Sequence, residues 1–283
     1  MITIPTILPA FHRHLLQNES SSHTIAKYLR DIRLLARIVG ERIDSLEQLL
    51  LYKKELQHRG YAARSINSMI SAVNKFVSFC GHPEWKLRFL KLQRTTFADE
   101  KREISRAEYQ RLIDTALRRG QEQLAMIMQT ICATGIRVSE LRAITVAGVK
   151  SGVVEICSKA KIRTILLPKS LCDLLHKYCD RHSIASGSIF VSRKGRPLDR
   201  CRIWRQMKQL CRQAGVAREK VFPHNLRHLF ARCFYQKHRD IVRLADILGH
   251  SSMDTTRIYT TKNSRTERQR LDILGLVTGW MVT

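Results

Sequence analysis

Acidic residues are scarce in this 283-residue chain: 24 Asp and Glu stand against 50 Lys and Arg, for a formal charge of +26. A domain needs no such excess to stay in solution. A field of that size concentrates polyanions, with nucleic acid the first candidate and an anionic membrane surface the second. The surplus is shared by residues 1–97 and 98–283 roughly in proportion to their lengths, so it is not a basic tail on a neutral enzyme. Both halves read as electropositive jaws on one polyanion. The bland alternative is a generic, ribosome-like basic surface. The same scarcity bears on chemistry. A two-metal nuclease needs clustered carboxylates, and those present here are few and scattered.

Other absences narrow the field. No apolar run comes near 18 residues, so no membrane span is expected. The start, MITIPTILPAF, lacks a charged leader region and holds Pro5 and Pro9, which argues against a signal peptide. The 8 cysteines include no C-x-x-C pair and lie mostly in apolar helical patterns. Structural zinc wants close pairs and a secreted scaffold wants denser cysteines, so buried thiols in a reducing, cytoplasmic compartment are expected. There is no G-x-x-x-x-G-K-[ST], no G-x-G-x-x-G and no H-E-x-x-H. His82-Pro83-Glu84 has the H-x-E form of zinc deaminases, but no P-C-x-x-C follows and it reads as a turn. No cofactor and no metal is expected.

What is present is mainly helical. The length suits one large domain or two ordinary ones, and a 44% hydrophobic content suits a globular protein. Helical patterning starts near residue 10. Ile25, Tyr28, Leu29, Ile32 and Leu35 recur at three and four, with Ser22 as the N-cap. A second helix runs from about Ser45 to His58, and a third from Ala63 to Cys80. Residues 98–103 have little apolar content and read as a linker between a helical domain, 1–97, and a second domain, 104–283. Ser105 and Glu108 form a capping-box pattern, and a helix from about Gln121 stops at Gly135. Val153 to Cys157 and Thr164 to Leu167 flank a basic tip and predict a β-hairpin. Helices return at about 170–182, 201–214, 224–237, 241–248 and 254–262, and Ile189-Phe190-Val191 suggests a short strand.

An array of cations and donors in the second domain carries the chemistry. In ATGIRVSEL, Arg137 follows a glycine helix stop by two residues, which exposes it at a junction, and Glu140 is placed to hold the guanidinium. An ordinary helical corner with a surface ion pair is the commoner meaning of such a string. Pro223-His224-Asn225-Leu226-Arg227-His228 opens a helix with His224 and Arg227 on one face of its first turn, where backbone N–H groups suit a phosphate; a solvated polar face is the alternative. His250 follows Gly249 directly at a helix end, and Tyr259 lies nine residues on. Alone, that tyrosine reads as a core or interface residue.

Taken together, Arg137 in ATGIRVSEL, the H-x-x-R of His224 and Arg227, LGHSS around His250 and TTRIYT around Tyr259 resemble the tyrosine recombinase, or phage-integrase, family. Integrases of bacterial mobile elements and Xer-type recombinases share this order and spacing. TIAKYLRDIR resembles the first helix of that family's core-binding domain. The resemblance spans nearly the whole chain. It implies an N-terminal helical core-binding domain and an α+β catalytic domain, mainly α with one small β-hairpin. The family's catalytic lysine would be Lys159 or Lys161. The hairpin tip is a residue tighter than in many relatives; Lys159, the first lysine of the tip, is favoured.

The resemblance implies a mechanism that the residue types suit. Attack on a DNA phosphodiester builds charge on the non-bridging oxygens, and the guanidinium forks of Arg137 and Arg227 can take that charge without a metal. His250 donates a further hydrogen bond to the same oxygens. Tyr259 is the nucleophile, His224 takes its proton, and Lys159 protonates the departing 5′ oxygen. The family further implies double-stranded DNA held between the two domains and a homotetramer on two DNA sites, with possible DNA-bending accessory proteins. A C-terminal helix, about 266–275, would dock on a neighbour by that resemblance, and its apolar Leu271, Ile273, Leu274 and Leu276 fit packing within the chain equally well. Two alternatives stand beside a recombinase: a type IB topoisomerase-like nicking-closing enzyme, and a non-catalytic DNA-binding regulator.

Overall fold

The computed structural model describes residues 1–92, 102–158, 161–192, 194–250 and 255–256. The chain divides into two compact units, Met1–Arg94 and Thr95–Thr283. The linker expected at 98–103 overlaps residues 93–101, which lie outside the described residues. Among the described residues, no helix is long and apolar enough to cross a membrane.

In the first unit, strand β1 (Ile2–Thr3) leads into helix α1 (Ile4–Gln17), which begins earlier than the apolar pattern predicts. Pro5 stands in the first turn, where no N–H is needed, and Pro9 forgoes one helical bond inside it. Three more helices follow: α2 (Ser22–Val39), α3 (Leu46–His58) and α4 (Ala63–Phe79). The cap of α2 is Ser21, one residue before the expected Ser22, and its side chain accepts from the Thr24 N–H at 3.2 Å. Strand β2 (Arg42–Ile43) pairs antiparallel with β1, Ile2 facing Ile43. The core gathers one stripe from each helix, including Phe11, Ile32, Leu49 and Phe76. Asn67 and Asn74 on α4 each bond both ways with the backbone of the exit segment, at Leu90 and Leu87, with every bond at 2.8–2.9 Å.

The second unit opens with α5 (Arg106–Arg118), closed at its start by the expected box of Ser105 and Glu108. Helix α6 (Glu122–Thr134) follows and ends on Gly135 in the left-handed region. A 3-10 turn (Val138–Ala143) and a short α7 (Val146–Ser151) lead to the hairpin of β3 (Val153–Ser158) and β4 (Lys161–Leu166). The register runs from Val153 opposite Leu166 to Ser158 opposite Lys161. Next come α8 (Lys169–Arg181), α9 (Arg200–Ala214), α10 (Pro223–His238) and α11 (Ile241–Leu248). The strand expected at 189–191 does not form. Only isolated bridges occur there, Thr145 with Ser188 and Val191 with Pro197. Ile189 and Phe190 are instead buried core residues that need no ladder. The core packs α6 centrally, with α5, α8, α9 and α10 around it. The helix expected at 254–262 is described only at Thr255 and Thr256, and the docking helix at 266–275 lies outside the described residues.

Candidate active site

Gly135 sets the first corner of the site. Its φ is +67°, and a Cβ there would come within 2.5 and 2.7 Å of the Phe230 ring, so a side chain is excluded on both counts. Two residues later the chain is extended at Arg137 and enters the 3-10 turn. Glu140, 5% exposed, turns back and accepts from Arg137 twice: from the backbone N–H at 2.7 Å and from Nη1 at 3.0 Å. The Arg137 side chain remains 42% exposed. It is pinned at one end and open to a ligand at the other. The same carboxylate accepts from Arg163 Nη2 at 2.5 Å.

Arg227 is the opposite case, a guanidinium with 1% exposure. Pro223 starts α10 and places Arg227 in the helix's second turn, facing inward. Its Nη1 donates to the Gly135 carbonyl at 2.6 Å and its Nη2 to the Leu248 carbonyl at 2.8 Å. These carbonyls close α6 and α11. Helix C-termini carry partial negative charge, so two of them offset the desolvation of the cation. Asn225 fixes the start of α10 by donating to the carbonyls of Arg102 and Lys220, at 2.8 and 2.6 Å.

His250 follows the end of α11. Its Nε2 lies 2.9 Å from Arg227 Nη2 and its Nδ1 2.8 Å from Thr256 Oγ1. Arginine cannot accept, so Nε2 takes the bond and the ring proton is assigned to Nδ1, donated to Thr256. Burial, and then the charges of Arg227, Arg137 and Arg163, push the imidazole pKa down to about 4. His224 keeps an open edge to solvent yet sits deep among protein atoms. Burial lowers its pKa, with Arg227 and Arg137 adding to the effect. His228 packs edge-on to His224 at 4.5 Å and is also pushed down to about 4, chiefly by burial. The imidazoles are therefore neutral at pH 7. With its proton facing Thr256, His250 must exchange partners before it can donate to a phosphate oxygen.

The fold thus gathers four residues singled out in the sequence: Arg137, His224, Arg227 and His250 share one electrostatic neighbourhood. Lys159 and Tyr259 lie outside the described residues, and Lys161 is placed by its ladder partner Ser158. Beside the cluster, Val138, Trp204, Phe222 and His224 line an apolar cavity of about 360 Å³. Among the described residues, no three His, Cys, Asp or Glu side chains gather as metal ligands. The sequence reading overlooked Arg163 and Thr256. For Arg163 a signal existed. It shares the inward face of β4 with buried Ile165, whereas Ile162 on the other face is 71% exposed. A charge on the apolar side of a half-buried strand asks for a partner.

Comparison with known proteins identifies the family and the fold. Residues 102–266 match the phage integrase family, and residues 8–82 match the phage integrase N-terminal SAM-like domain. Tyrosine recombinase XerA of Pyrococcus furiosus is 27% identical over 289 residues, covering 96% of this chain and 94% of that protein. The fold is that of a lambda integrase (75-356) dimer bound to a COC' core site, with TM-score 0.74 and 18% identity, covering 93% of this chain and 97% of that one. It is also that of a lambda integrase tetramer bound to a Holliday junction, with TM-score 0.72 and 18% identity, covering 93% and 78%.

Proposed function

This chain belongs to the phage integrase family, and on that footing we propose that it is a site-specific DNA recombinase that cleaves and rejoins strands through a 3′-phosphotyrosyl intermediate at Tyr259. One observation carries the chemistry: Arg137 and Arg227 converge with two neutral imidazoles, His224 and His250. Fixed guanidinium donors aimed at the non-bridging oxygens take up charge that develops during attack. Neutral His224 can accept the phenol proton, which at an ordinary pKa near 10 would otherwise stay on Tyr259. The Tyr259 oxygen bonds to phosphorus, the bond to the 5′ oxygen breaks, and Lys159 supplies the proton that oxygen needs. Attack by a 5′-hydroxyl of another duplex reverses the chemistry and exchanges strands, with the phosphodiester energy conserved in the covalent link.

Double-stranded DNA is the substrate that a charge of +26 would attract. The lambda integrase tetramer on a Holliday junction shares this fold and supports a homotetramer on two DNA sites. DNA-bending accessory proteins, and a C-terminal helix near 266–275 docking on a neighbour, complete the proposed assembly. The curated relative above is a recombinase, which supports strand exchange over a topoisomerase or a regulator. The test is a nicked suicide substrate carrying the cognate site. Wild type is expected to accumulate a covalent adduct, and Tyr259→Phe to bind the DNA without forming one. An adduct with Tyr259→Phe would remove the nucleophile assignment.

A further inference from the structure

We propose that Arg163 is a positioning residue that locks the hairpin, the Arg137 corner and the His250 turn into one register. The proposal rests on the recombinase reading above and assigns a role that the sequence motifs leave blank. Arg163 is 15% exposed and sits on β4 two residues beyond Lys161. Its Nη2 bonds Glu140 Oε2 at 2.5 Å, and Glu140 holds Arg137 at both backbone and guanidinium. Its Nη1 bonds the Ile247 carbonyl at 2.8 Å, three residues before His250. One planar fork thus joins three separate chain segments. Lysine, a single point donor, cannot span both contacts.

Gly249 gives a second, independent observation. A Cβ at Gly249 would fall 2.7 Å from Arg163 Cδ and 2.9 Å from Nη1. The backbone just before His250 lies directly on the arginine stem. The turn that presents His250 is therefore moulded against Arg163 as well as bonded near it. Strand β4 at Arg163, the Arg137 corner and the His250 turn would then move as one body. A hairpin that left its place would release Arg137 and His250 together.

The experiment combines single-turnover cleavage on the suicide substrate with amide hydrogen exchange of DNA-free protein. Arg163→Ala is expected to slow cleavage about 100-fold, the scale of a small misplacement of catalytic groups, with DNA affinity nearly unchanged. Exchange should rise together at 137–143 and 247–250. Arg163→Lys should not restore the rate. A 5′-bridging phosphorothiolate, whose sulfur departs without a proton, should rescue Lys159→Ala but not Arg163→Ala. Gly249→Ala should slow cleavage in wild type and add much less in the Arg163→Ala background, where the displaced arginine is gone and only left-handed strain remains. Normal cleavage by Arg163→Ala, rescue by the sulfur substrate, or increased exchange confined to the hairpin would each overturn the proposal. If wild type itself forms no adduct, the recombinase chemistry fails, and the exchange pattern still decides whether Arg163 ties the three segments.

Discussion

Arg227 is a cation with almost no exposed surface, held by the carbonyls of Gly135 and Leu248 and set against His250. The role proposed for it depends on shape as much as charge. Arg227→Lys keeps the charge but loses the directed fork, so adduct formation on the suicide substrate is expected to fall about 1,000-fold, the scale of a lost oxyanion donor. Activity within tenfold of wild type would place the transition-state charge elsewhere. The histidines make a second prediction at this scale. Burial and neighbouring guanidinium groups disfavour the imidazolium, so His224 stays neutral, as its proposed role as base requires, below the usual histidine pKa of about 6.5. The acid limb of the cleavage rate is expected below pH 6.5. The same depression has a stability consequence. Unfolded histidines bind protons near 6.5, whereas folded His228 and His250 do so only near 4. Stability present above pH 6.5 is therefore lost as pH falls toward 4, and the melting temperature should decline across that window. A flat melting profile there would contradict these shifts.

Helix ends, more than helix faces, build the site. Helix α6 ends on Gly135, which must be left-handed, must admit the Phe230 ring and must aim its carbonyl at Arg227. Gly135→Ala is expected to cost about 3 kcal/mol, from left-handed strain and forced displacement of the ring. Gly120 has nearly the same φ, +65°, with nothing within 4 Å of a Cβ. Gly120→Ala should cost only the strain, about 1 kcal/mol. Equal loss of melting temperature in the two variants would mean that the close approach is unimportant. Most helices were legible because each carries an apolar stripe and a stop: Ser105 with Glu108 opens α5 and Gly135 closes α6. Helix α1 was legible only from near residue 10; its first turns carry Pro5 and Pro9, yet Pro5 falls where no N–H is needed, and Ile4 is buried in the core with Phe11 and Leu15. The stretch at 189–191 was misread as a strand because buried β-prone residues look alike whether or not they pair.

At the scale of the whole chain, charge is the dominant property. A net +26 implies DNA affinity carried by phosphate contacts and released counterions. Between 50 and 200 mM salt, binding of the cognate duplex is expected to weaken at least about 1,000-fold, the loss typical of six or more phosphate contacts. Fluorescence anisotropy across a salt series measures this directly. A shallow dependence would mean that the basic surface is not a DNA surface.

The order of residues alone determined that the chain is basic and mainly helical, where most helices start and stop, and that Arg137, His224, Arg227, His250 and Tyr259 stand in a family's order. Those are local or compositional properties, written in spacing and charge. Tertiary structure decided the rest. Only packing α6, α10 and α11 together shows that one arginine is buried between two helix ends while the other stays open. Only the juxtaposition of Glu140, Arg163 and Ile247, distant in sequence, reveals the strut beneath them. Spacing along a chain reports which face a side chain occupies; desolvation and hydrogen-bond partners depend on what lies across the gap, and that is set by the folded core.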